Sequence, residues 1–377
     1  MSEAAPLEAD RVGDLPHPRE TAALYGQEAA EAAFLGAWAS GRLHHAWLIH
    51  GPRGVGKATL AYRIARARLL APEEGGLFGP AEPPATLDTD PDDPLARRIA
   101  AGSEPRIFTL RRELDDKGER LRTQIRVEDV RKLKGFFQLS AADGGWRVAI
   151  VDPAEEMNAS AANALLKLLE EPPAKALFLL VSHAPARLLP TIRSRTVALG
   201  LRPLGAEALE KALAGAGVGR QGPIGPLALL SGGAAGEAAR MALGDGPALY
   251  ARLLRLVSAA PGMNRREMWS LSQACMGRAA AETYDLTLRL LDLLLVRLAR
   301  AGAAGGPEEE AAPGEAAALR ALAPDQAAAR VWAEAAARLS ERASGARAVN
   351  LDPAETVFDI LAEIDAAARA ARARSVP

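Results

Sequence analysis

The chain has 377 residues, 49% of them hydrophobic, enough to fill the cores of two or three domains of ordinary size. Its 46 basic and 47 acidic residues leave a net charge of −1, which excludes bulk attraction to nucleic acid and leaves only local patches for such contacts. The one cysteine, Cys275, excludes an internal disulfide or a cysteine zinc cluster, no charged-then-apolar leader is read at the start, and runs such as LDLLLVRLA are broken by charges short of a membrane span, so a cytoplasmic protein with no membrane partner is expected.

Residues 1–20 are acidic and proline-punctuated with no apolar period, and read as a disordered or loosely docked segment. From residue 21, TAALYGQEAAEAAFLGAWASGR predicts an amphipathic helix after a Gly-Gln turn, HAWLIHG a short buried strand, and ATLAYRIARARLL a second helix. Between strand and helix lies GPRGVGKAT, residues 51–59, and that context separates a phosphate-binding loop from a chance match. Residues 71–94, rich in Pro, Gly and acids, read as an inserted surface loop. RIFTLRRE and TQIRVEDVRKLKGFF predict strand, hairpin and helix; WRVAIVDPAEEMN a buried strand ending in Asp152; SAANALLKLLEEPP a helix stopped by two prolines; ALFLLVSHAP another buried strand. Strands alternating with helices imply an α/β domain with a mostly parallel sheet over residues 21–203. Alanine-rich helical texture follows, as a small helical subdomain over 204–244 and an all-α bundle over 245–377, with AGAAGGPEEEAAPGE as a flexible linker inside it.

A working P-loop ATPase needs backbone amides and a lysine on the phosphates, a hydroxyl on magnesium, an acid at a strand end and a group that positions water. Gly51, Gly54 and Gly56 let the backbone close around phosphate, Lys57 reaches the terminal phosphates, and Asp152 stands at a strand end for the metal side. Ala58 stands where the hydroxyl is required, and Thr59, one step on, offers its own from a different helix face. Pro153 follows Asp152 and cannot orient water, while Glu155 and Glu156 are expected in the next loop as solvated acids. Against the nucleotide reading stands a loop kept only as a tight strand-helix turn.

HHAWLIHGPRGVGKATLA, the run from RVEDVRKLKGFF through IVDPAEEMN, and NALLKLLEEPP followed by TIRSRT together resemble the AAA+ domain of bacterial clamp-loader subunits, over about residues 24–204. The resemblance implies an AAA+ P-loop sheet domain, a small helical lid and a helical collar, in a heteropentameric ring that opens a sliding clamp and sets it on primed DNA. It also implies a member built like an ATPase whose Ser-Arg motif reaches the ATP of a neighbouring subunit. Ser194-Arg195-Thr196 occupies that motif, which makes Arg195 the candidate arginine finger, with Arg193 as rival and an arginine salt-bridged on the sheet edge as the plain alternative. Relatives often have Cys at the position of Thr196, and many carry four zinc-binding cysteines in the insertion; residues 71–110 hold none, so no zinc is expected. Glu237 stands near where active relatives carry a phosphate-sensing arginine, with Arg240 three residues along.

Ala58, Pro153 and Glu237 agree on a chain that does not hydrolyse ATP by itself and holds it weakly or not at all. The rival readings are an autonomous AAA+ ATPase using Thr59 and Glu155 in unusual places, and a structural relative whose Arg195 serves no neighbour. His44, His45 and His50 are expected to pack by the loop rather than bind metal, and His183 stands where relatives have a polar sensor. Arg122, Arg126, Arg131, Lys132, Lys134 and Lys167 form either a DNA-backbone contact or a solvated face. Trp332 is assigned to bundle packing or the collar interface, and Cys275 to the core.

Overall fold

The computed structural model describes residues 8, 11, 15–72, 83–115, 118, 121–138, 145–219, 222–277, 280–348 and 351–375. It divides into two compact units, the first running through Gly217 and including Ala234–Glu237, the second comprising Val218–Gly233 and the chain from Ala238.

In the first unit, strands β1 (Ala46–His50), β2 (Ile107–Leu110), β3 (Arg147–Val151), β4 (Ala176–Ser182) and β5 (Val197–Gly200) form one parallel sheet in the order β2-β3-β4-β1-β5. Alternation along β1, β3 and β4 divides their side chains between two cores, as a sheet covered on both faces requires. Trp47, Ile49, Val148, Ile150, Leu177 and Leu179 meet Phe34 of α1 (Glu28–Ala39), Leu60 and Ile64 of α2 (Lys57–Leu70) and Ile99 of α3 (Pro94–Ala100). Leu48, Ala149, Val151, Phe178 and Leu180 meet Val130, Leu133 and Phe137 of α4 (Val127–Gln138), Leu165 and Leu169 of α5 (Ala159–Glu170) and Ile192 of the short α6 (Pro190–Arg193). Helix α7 (Ala206–Gly215) follows, and α9 (Ala235–Leu243) opens within this unit.

Three sequence expectations need correction here. Leu15–Glu20 is docked rather than loose; the rest of the 1–20 segment, apart from Glu8 and Arg11, lies outside the described residues. His17 is fully buried, its Nδ1 accepting from the Arg19 amide at 3.1 Å and its ring edge-on to Tyr62. The cause lies in α2, whose buried Arg66 donates to the carbonyls of Arg19 and Thr21 at 3.2 and 2.7 Å, and whose Arg63 donates to that of Ala22. The inserted loop 71–94, where described, is also tied down: Leu87 is buried in the core and Asp88 pairs with Arg63 at 2.9 Å. Directly after it, α3 was not foreseen; Asp93 caps it by accepting from Leu95 N at 2.7 Å, with Pro94 opening the first turn.

The second unit holds α8 (Ile224–Ser231), the rest of α9, α10 (Gly246–Ser258), α11 (Arg265–Gln273), α12 (Ala281–Ala304), α13 (Glu315–Leu322), α14 (Gln326–Ala348) and α15 (Pro353–Arg374). Trp332 is buried and donates from Nε1 to Leu322 O at 2.9 Å. The stretch expected as a flexible linker instead closes around Glu315, which is 0% exposed. Its carboxylate accepts from Tyr250 Oη at 2.5 Å, from Arg297 Nε and Nη2 at 2.5 and 3.0 Å, and from Ala311 N at 2.6 Å. A carboxylate taken out of water needs such a set of donors, and this one recruits them from α10, α12 and the Gly/Glu-rich turn itself.

Candidate functional site

The C-terminal ends of β3, β4 and β1 lie side by side, with His50 opposite Ser182 and Val151 opposite Leu180, so the loop after β1, Asp152 and His183 emerge along one edge of the sheet. In open α/β sheets that edge is where ligands bind.

The loop from Gly51 to Lys57 is tightly wrapped. A Cβ at Gly51 would fall 2.5 Å from Leu201 O, a backbone atom that cannot yield, and Gly56 caps α2 with φ of 96°. Gln27, which sequence reasoning passed over as half of a turn, is buried and stitches this region: its Nε2 donates to Val55 O at 3.3 Å and Arg202 O at 2.8 Å, while its Oε1 accepts from Arg202 N at 3.2 Å.

Lys57 is 3% exposed and donates from Nζ to Gly51 O at 2.8 Å and to Pro52 O, both carbonyls of its own loop. Burial pushes its ammonium down to about 8, Arg53 adds to that, and Asp152 and Glu155 oppose it. Opposite the loop, Gly236 N donates to Gly54 O at 2.9 Å, and a Cβ on Gly54 would fall 3.3 Å from Glu237 N. The first turn of α9 is thus set against the loop, and it brings the buried acid Glu237 there. Arg240 belongs to the second unit. Thr59 is half-buried on α2, and Asp152 is buried at the end of β3.

Glu155 and Glu156 are not the solvated acids expected; both are half-buried in a single turn after β3. Glu155 Oε1 accepts from His183 N at 2.8 Å, tying the β3 and β4 ends together. Glu156 faces Arg112 at 2.5 Å, and burial raises its carboxyl despite that guanidinium. Although it reaches the surface, His183 is driven down to about 4, first by partial desolvation and then by the Lys57 charge, with Glu155 pulling the other way. Of the three histidines expected at the loop, only His50 is near it; His44 and His45 stack at the opposite end of β1, with centroids 4.3 Å apart, and His45 Nε2 lies 3.0 Å from Leu169 O. Among the described residues no group of three or more His, Cys, Asp or Glu is placed to hold a metal ion, and no helix is long and apolar enough to cross a membrane.

Arg195 sits on the turn between α6 and the edge strand β5, its side chain 36% exposed. Its Nη2 pairs with Glu170 Oε1 at 2.8 Å and its Nη1 donates to Thr191 O at 3.0 Å, so the salt bridge of the plain alternative is present. Arg193 is exposed. Among the basic residues, Arg122 and Lys132 are drawn to Glu113 and Asp129, whereas Arg126, Arg131, Lys134 and Lys167 are exposed on α4, its approach and α5.

A family model described as DNA polymerase III, delta subunit, matches residues 26–205, the sheet and the loop just described. Residues 26–205 are thus similar to the clamp-loader subunits of DNA polymerase III, delta' among them. The DNA polymerase III subunit delta' of Pseudomonas aeruginosa is 43% identical over 153 residues, 41% of this chain and 42% of that one. The DNA polymerase III subunit tau of Escherichia coli is 33% identical over 196 residues, 52% of this chain and 27% of that one. These matches therefore cover less than half of either relative. The solved gamma subunit-related protein of Thermotoga maritima covers 89% of this chain at 16% identity, but its TM-score of 0.37 lends it no weight.

Proposed function

We propose that this chain is a delta'-like subunit of a DNA polymerase III clamp loader, a member that does not hydrolyse ATP itself and supplies Arg195 to ATP bound by a neighbouring subunit. The observation that carries the first half is Lys57: two of its three donors are spent on Gly51 O and Pro52 O, the loop's own carbonyls. Added to this, position 58 offers no hydroxyl to magnesium, Pro153 offers nothing to water, and Glu237 brings an acid to the loop. The residues present do not fit a magnesium-nucleotide, and ATP is held weakly or not at all. Glu155, which an autonomous ATPase would need for water, is committed to the His183 amide.

The second half rests on Arg195, a half-exposed guanidinium at a turn beside an edge strand, where another chain can reach it. A planar fork of fixed charge is suited to spreading phosphate charge in a transition state. In this reading the partners are the ATPase subunits and delta of a heteropentamer, the sliding clamp through them, and primed DNA. The exposed Arg126, Arg131, Lys134 and Lys167 would then meet the DNA backbone through salt-sensitive, sequence-blind contacts.

The test is steady-state ATP hydrolysis by the clamp loader reconstituted with its clamp and primed DNA, comparing wild type with Arg195→Ala and including the subunit alone. The expected result is a silent subunit and a complex slowed severalfold or more by the substitution. Unchanged turnover after Arg195→Ala refutes the trans role. Turnover by the isolated chain at the rate of the complex refutes the non-hydrolysing role and promotes Thr59 and Glu155.

A further inference from the structure

The arginine turn carries one group that the resemblance does not assign. We propose that Glu170 is the positioning residue for Arg195, holding its guanidinium in the attitude from which it meets a neighbour's phosphate; the inference rests on the trans-arginine reading above.

Both ends of the Glu170–Arg195 pair are anchored in the backbone. Glu170 is the last residue of the 12-residue α5, whose other end is capped by Asn158 Oδ1 accepting from Ala161 N at 2.8 Å. Leu165, Leu168 and Leu169 bury that helix in the sheet core, and Pro172 and Pro173 prevent its continuation, so the carboxylate is delivered from a fixed point. On the other side, Ser194 N donates to Pro190 O at 2.9 Å, Arg195 N to Ile192 O at 3.1 Å and Thr196 Oγ1 to Ile192 O at 3.1 Å, and Ile192 is itself buried. The base of the arginine is therefore fixed, while its long side chain is not fixed by packing, being 36% exposed.

Three polar contacts reach that side chain, the longest from Nη1 to Ser194 Oγ at 3.5 Å. Glu170 Oε1 takes Nη2 at 2.8 Å and Thr191 O takes Nη1 at 3.0 Å. The guanidinium is a rigid plane with five N–H donors, so contacts at two of its nitrogens determine where the others point. Thr191 O and Ser194 Oγ both hold the Nη1 corner; without Glu170 the plane can rotate about that corner. A carboxylate that instead competed with incoming phosphate would have the opposite effect on turnover, which makes the two roles separable by experiment.

The test is ATP hydrolysis by the reconstituted clamp loader with clamp and primed DNA, using wild type, Glu170→Ala, Arg195→Ala and the double variant. Glu170→Ala is expected to lower kcat about two- to fivefold, the span exposed ion pairs of this kind carry, with KM for ATP unchanged. It is expected to have no further effect when Arg195 is already alanine, because a positioning residue acts only through the group it positions. A rise in turnover, no change, or an equal loss in the Arg195→Ala background overturns the proposal while leaving the trans-arginine reading standing. If Arg195→Ala alone leaves turnover unchanged, the trans-arginine reading fails, and this proposal fails with it.

Discussion

Replacing Lys57 by methionine tests directly whether the loop lysine is held at a cost. The ammonium is pushed from 10.5 to about 8 by burial, and at ~1.4 kcal/mol per unit that is a penalty of about 3 kcal/mol on the folded, protonated state. The sign follows from linkage. Between pH 8 and 10.5 the unfolded chain binds a proton at this site that the folded chain has released, so stability rises with pH across that window and the penalty is fully present below it. Methionine has a similar length and no charge, so the variant should lack this part of the pH dependence. Urea unfolding at steps across the window, read through fluorescence to which Trp38, Trp47 and Trp146 of the first unit contribute, should show wild type gaining on Lys57→Met by about 2–3 kcal/mol as pH rises. Parallel curves would mean that Asp152, Glu155 and the two carbonyls compensate the charge in full, and that the lysine is not a burdened residue.

Two further outcomes follow from the same electrostatic and packing logic. The His183 imidazole should stay neutral on acidification until about pH 4, and in Lys57→Met its NMR titration should move upward because a nearby positive charge is gone; an unmoved titration would show that burial alone sets it. In the second unit, Glu315→Ala leaves the half-buried Arg297 without its carboxylate and should cost about 3–5 kcal/mol, whereas Tyr250→Phe removes one hydroxyl donor and should cost about 1–2 kcal/mol, both read from denaturant unfolding.

The sheet and its phosphate loop were legible because their signals are local. Three buried runs, each bounded by turn residues, mark β1, β3 and β4, the apolar IFTL marks the half-buried β2, and the glycine spacing is required by a backbone that leaves no room for a Cβ at Gly51. β5 escaped notice because VALG buries only Leu199 of its four residues; its extended form comes from pairing with β1, which is information from a distant part of the chain. α3 was hidden by composition, since Asp93-Pro94 reads equally as a turn in a proline-rich loop and as a cap with proline at the first helical position. Glu155, Glu315 and the 15–20 strap share a further reason. Each looks like a solvated polar stretch, and each is drawn inward by a partner far along the sequence: the His183 amide, Tyr250 and the α2 arginines. Periodicity and propensity cannot report such pairings. Glu170 shows the same limit, since EEPP signals a helix end and says nothing of the arginine it will meet.

The self-satisfied lysine also bears on how this domain responds to the cell around it. Where a loop is completed by a ligand, the stability of the fold follows ligand concentration through mass action, by RT ln(1 + [L]/Kd). Here the Lys57 ammonium donates to the carbonyls of Gly51 and Pro52 within its own loop. On the proposed reading, the fold's stability should then be insensitive to nucleotide concentration, and added ATP should leave the unfolding midpoint of the chain unmoved.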